Sequence, residues 1–94
     1  MRAVQKLIDD GRDPNKAIIA VLKARGTNVT QIAKKHGVIR EELSRVINGR
    51  QVPTDPELDV LAAELGGTRA QWRRAWWTWN QPAELRQEAL AGAR

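Results

Sequence analysis

Apolar positions recur along the chain with helical spacing, and glycines and prolines break the pattern into short pieces. Val4, Leu7 and Ile8 follow an i, i+3, i+4 rhythm, which predicts a leading helix over 2–10 that ends before Gly11. Asp13-Pro14 is a start signal, with Asp as N-cap and Pro at the first helical position, where its missing N–H costs nothing. Ile18, Val21 and Leu22 then form a stripe, and Gly26 suits the left-handed position after a helix. Asn28 caps a helix that carries Ile32 and Ala33 inward and stops at Gly37. Another helix runs from about Arg40 to Asn48 on Leu43, Val46 and Ile47, with Gly49 behind it. After the connector 50–54, Asp55-Pro56 repeats the cap-then-Pro start, and Leu58, Leu61, Ala62 and Leu65 follow before Gly66-Gly67. Thr68 with Gln71 matches a capping box ahead of Trp72, Ala75, Trp76 and Trp79. Asn80-Gln81-Pro82 breaks that helix, and Leu85, Ala89 and Leu90 suggest a last weak one. The expected fold is all-α, with five or six short helices and no strands.

The composition fits an ordinary globular domain: 94 residues, 41% hydrophobic and 29% charged. No apolar run reaches the ~18–20 residues of a membrane span, and residues 1–13 lack the apolar stretch of a signal peptide. An intracellular protein without a membrane partner is expected. Without Cys, disulfides, thiolate catalysis and zinc-thiolate sites are excluded. With one His and no Tyr, a catalytic triad or a His-based metal centre lacks material. Asp55, Glu57 and Asp59 are acidic neighbours, but their place at a helix start assigns them to capping and the helix dipole rather than to a metal. The chain is therefore expected to be no enzyme and to need no cofactor.

Charge changes the picture more. The net charge is +5, and residues 23–50 hold seven basic and two acidic groups, so the whole excess lies in that stretch. Such a local field either attracts polyanions or is a solvated basic face. The same stretch holds the most informative pattern, NVTQIAKKHGVIREELSRVINGR over 28–50. Two short helices meet across a turn containing Gly37, Val38 is expected to be buried in the turn, and small Ala33 permits close helix approach.

These residues resemble the phage-repressor-like (XRE/Cro type) helix-turn-helix family. GVIREELSRVINGR is similar to its recognition segment and TQIAKKHG to the preceding helix, and the likeness extends over 13–67. The resemblance implies a lambda-repressor-like DNA-binding domain over 1–67 with the motif at 28–49, and leaves 68–94 as a Trp-rich helical extension. It places Arg40, Glu41, Ser44 and Arg45 on the groove-facing side of the second motif helix. Arg45, at the centre of that face, suits a guanine. Arg40 suits a base or a phosphate. Glu41 and Glu42 also fit a plain first-turn role against the helix dipole. Asn28, Thr30, Gln31, Lys34, Lys35, Asn48 and Arg50 are candidate phosphate contacts, although adjacent Lys34 and Lys35 diverge by ~100° on a helix. The sequence departs from the family at Ile39, where a Ser or Thr cap is usual. His36 reads as a surface residue at a helix end.

Four tryptophans fall within eight residues, beside Arg69, Arg73 and Arg74. Trp72, Trp76 and Trp79 share a stripe that serves as core or as subunit interface. Trp77 lies off it, stacked on Arg73 or exposed as an anchor. Trp72, Trp76, Trp77 and Trp79 are thus the candidate dimer or partner interface. The expected function is a sequence-specific double-stranded DNA-binding repressor of phage or prophage type, acting as a homodimer on a pseudo-palindrome. The rival reading is a protein-interaction module or antitoxin whose Trp-rich helices bind a partner protein.

Overall fold

A computed structural model of the chain describes residues 1–80. They form six helices and no strand: α1 (Arg2–Asp9), α2 (Pro14–Ala24), α3 (Val29–His36), α4 (Arg40–Ile47), α5 (Asp55–Leu65) and α6 (Arg69–Asn80). None is long and apolar enough to cross a membrane. The weak helix expected around Leu85, Ala89 and Leu90 lies outside the described residues.

Local chemistry accounts for the helix ends. Asp13 Oδ1 accepts from the amides of Asn15 and Lys16 at 3.0 and 3.3 Å, so the Asp-Pro start of α2 holds. At α5 the cap sits one residue earlier than expected. Thr54 is the N-cap and forms a capping box with Glu57, whose Oε1 accepts from Thr54 N at 2.8 Å. Asp55 is the first helical residue instead, and its carboxylate is left free to pair with Arg73 at 2.5 Å. Thr68 and Gln71 exchange bonds of 3.0 and 3.2 Å at the head of α6.

The core draws on every helix. Val4 comes from α1, Ile18, Val21 and Leu22 from α2, Ile32 and Ala33 from α3, and Leu43, Val46 and Ile47 from α4. Leu58, Val60, Leu61 and Leu65 of α5 join Trp72 and Trp76 of α6 in the same cluster. Residues 69–80 thus contribute to the same core as the preceding helices, because two of the four tryptophans of α6 point into it. Ala62 and Val38 are half-buried and pack against the cluster's edge. Val38 is thus not the buried turn residue expected: the turn carrying it lies at the surface.

Candidate nucleic-acid interface

The basic stretch folds into two short helices joined by three residues. Asn28 Oδ1 accepts from the Gln31 amide at 2.9 Å and so caps α3. Gly37 ends that helix with φ +68°, a left-handed conformation open to glycine without strain. The Val38 amide then bonds back to Ala33 O at 3.0 Å and tightens the turn. α4 begins beyond Ile39, which makes no side-chain cap bond.

Leu43, Val46 and Ile47 commit one side of α4 to the core, and this fixes what the other side presents. Arg40, Glu41, Arg45 and Asn48 are exposed, with Ser44 half-buried among them. Arg40 Nη2 lies 3.1 Å from Glu41 Oε1. Arg45 Nε donates to the Glu41 carbonyl at 3.3 Å, one turn back. Asn48 Nδ2 donates to Ser44 O at 2.8 Å. The Glu41 carboxyl is held below the usual carboxylate range, first by accepting from its own backbone amide and then by the charge of Arg40.

A groove of about 490 Å³ opens between α2, the N-terminus of α3 and α4. Ile19, Leu22 and Lys23 line one wall, and Asn28, Thr30, Ser44 and Asn48 line the rest together with Thr27 and Val29. The fold thus brings together four candidate contacts that are up to twenty residues apart in sequence. Arg40, Glu41 and Arg45 stand exposed farther along α4, and Gln31 and Lys34 are exposed on α3. Arg50 is exposed just past α4, its amide bonded to Arg45 O at 2.8 Å. Among the described residues, Lys23, Lys34, Arg45 and Arg50 have no carboxylate within ion-pair distance. Lys35 differs from its neighbour: its ammonium lies 3.1 Å from Glu64 Oε1 on α5, away from the groove.

His36 is more than a surface residue. Its Nε2 lies 2.7 Å from the same Glu64 Oε1, and Arg25 donates to the Glu64 backbone carbonyl. Glu64 thus ties the ends of α2 and α3 to α5. Its carboxyl is held below its ordinary range, first by the His36 hydrogen bond and then by that of Lys35. The periodicity of α5 marks position 64 only as off the apolar stripe, so no local signal reveals this role.

The tryptophans divide. Trp72 is 1% exposed and Trp76 6%, and each indole N–H has a backbone acceptor at 2.8 Å, Gly66 O and Val46 O respectively. They are core residues of this chain and unavailable to a second one. Trp79 is half-buried, its ring edge-on to Trp72 at 6.1 Å. Trp77 is 47% exposed and packs edge-on against Trp76 at 5.4 Å. Of the two alternatives for Trp77, the exposed one is found, and Arg73 reaches to Asp55 instead of stacking on it. Arg69 takes Asp59 as a two-point partner at 2.8 and 2.6 Å, so the acidic neighbours at the head of α5 are spent on capping and ion pairs. Among the described residues, no group of three or more His, Asp or Glu is placed to hold a metal.

Set against family models, characterised proteins and solved structures, the chain matches none.

Proposed function

We propose that the chain is a sequence-specific double-stranded DNA-binding transcriptional regulator of phage-repressor-like type. In this reading α3 and α4 form a helix-turn-helix, with α4 in the major groove. The supporting observation is the outward side of α4. Arg40, Glu41, Arg45 and Asn48 stand exposed there, continuous with a groove that gathers Asn28 and Thr30 at the α3 N-terminus. Arg45 reads a base edge. The first amides of α3, with Asn28, Thr30, Gln31, Lys34 and Arg50, take phosphates. Lys23 joins them from α2, whereas Lys35 is engaged by Glu64. The protein acts by binding, as a dimer on a pseudo-palindrome with half-sites about 34 Å apart, and represses by occluding a promoter.

Selection from a randomised duplex pool, at two salt concentrations, tests this reading. Wild type enriches a two-fold-symmetric site, and Arg45→Ala loses the preference. The salt slope, about −0.9 per phosphate neutralised, counts the backbone contacts. Sequence-independent binding alone refutes the reading.

One observation favours the rival class. Trp77 is large, aromatic and half exposed, a residue type favoured at protein interfaces. Of the four tryptophans it is the one with most surface left for a second chain, either a second copy or a partner protein. If duplex selection enriches no site while Trp77→Ala abolishes the biological effect, the interaction-module reading replaces the first.

A further inference from the structure

The first turn of α4 carries two carboxylates, Glu41 and Glu42, where a plain DNA-binding surface would carry none. Glu41 is exposed and holds Arg40 at 3.1 Å, while Arg45 is anchored one turn on through its Nε. We infer that Glu41 is a specificity-determining residue, which restricts the base pair it faces to one presenting an amino group, beside a guanine taken by Arg45. The inference rests on the DNA-binding reading and deepens it.

The argument is one of donors and acceptors. An ionised carboxylate only accepts hydrogen bonds. In the major groove the donors are cytosine N4 and adenine N6, while guanine and thymine present acceptors. A glutamate carboxyl with its ordinary value of 4.5 is already ionised at neutral pH, and that of Glu41 is held lower still beside Arg40. Facing guanine or thymine, it therefore sets oxygen against oxygen or nitrogen with no proton between. Arg45 has the opposite character. With Nε engaged by the Glu41 carbonyl, its two terminal nitrogens remain to fork onto guanine O6 and N7. Four helical residues rise about 6 Å, and base pairs step about 3.4 Å, so the two residues address base pairs no more than about two steps apart. Glu41 also makes non-specific binding weaker. It neutralises Arg40 and brings a negative charge to the phosphates wherever the bases fail to answer it.

The test compares wild type, Glu41→Gln and Glu42→Gln on a randomised duplex pool, followed by titration of the selected site and of random duplex over a salt series. Glutamine both donates and accepts, so it tolerates all four bases. Wild type is expected to exclude guanine and thymine by about tenfold at one position within about two steps of an invariant guanine. Glu41→Gln is expected to lose that exclusion and keep the guanine. It is also expected to bind random duplex more tightly, with a salt slope steeper by about 0.9 as Arg40 turns to a phosphate. Glu42→Gln, one position round the helix, is expected to match wild type. If Glu41→Gln selects the same site with the same exclusions, the inference fails and the regulator reading survives. If wild type selects no site, both fail. Retained helical circular dichroism confirms that Glu41→Gln is folded, as expected for a side chain 60% exposed.

Discussion

Trp76→Phe tests whether α6 belongs to the fold that holds α4 or merely follows it. The indole N–H of Trp76 donates to Val46 O at 2.8 Å inside the core. The same carbonyl accepts from the Gly49 amide at 3.1 Å. Phenylalanine removes the first bond and leaves the second, so the carbonyl is not orphaned and the loss is that of one ordinary hydrogen bond, about 1 kcal/mol. The smaller ring also leaves a void of roughly 40 Å³, which at about 24 cal/mol per Å³ adds about 1 kcal/mol. The sum, about 2 kcal/mol, lowers the Tm of a chain this size by about 8–16 °C. Urea unfolding followed by circular dichroism reads it, with an unchanged m value showing that the same surface is exposed. Trp77→Phe, on the exposed side of the same helix, is the control and shifts stability by less than about 0.5 kcal/mol. If Trp76→Phe shifts it no more than the control, the indole bond carries nothing and α6 is separable from the core.

Two further effects follow from polar groups at the helix ends. The folded Glu64 carboxyl lies below its ordinary value of 4.5. Its stabilisation is therefore fully present above that value and lost as pH falls through the folded one. Wild type should accordingly converge on Glu64→Gln in urea midpoint as pH drops from 6 to 3, and equal, parallel pH profiles would refute a role for the cluster. Ile39→Ser places an acceptor at the bare N-cap of α4, where the backbone is already extended at φ −77° and ψ 122°. It should stabilise by about 1 kcal/mol in thermal melts, and no gain would mean that Glu41 already satisfies the turn.

What was legible in the sequence was mostly local. Asn28, Gly37 and the Thr68–Gln71 pair each satisfy backbone groups within a few residues, so their types alone mark the helix ends. Leu43, Val46 and Ile47 recur at helical spacing, and that suffices to say which side of α4 faces outward. Asp55 misled because Thr54 and Asp55 are both good caps, and Glu57 three residues after Thr54 decides between them by reaching back to its amide. The Trp stripe was visible, but its destination was not. Periodicity gives a face and not what covers it, and the acceptor of Trp76 is a backbone carbonyl thirty residues away. Glu64 was illegible for the same reason: its partners His36, Lys35 and Arg25 come from two other segments.

These long-range bonds share a direction. The C-terminal end of α4 is anchored: Val46 O is taken by Trp76, and Gly49 is so close to α6 that a Cβ there would stand 2.9 Å from Asn80 Cγ. Asn80 Oδ1 in turn accepts from Asn15 of α2 at 3.1 Å. The N-terminal end is the reverse, with Ile39 59% exposed and its cap bond unmade. Stability is thus invested at the end of α4 that packs against the fold and withheld from its first turn, which is proposed to face base edges. A helix start with unspent amides breaks few internal bonds when another acceptor replaces water there, whereas its acidic first turn repels phosphate and suits a base-pair amino group. The missing cap at Ile39, a defect if stability alone were at stake, is consistent with a helix whose first turn is completed by its ligand.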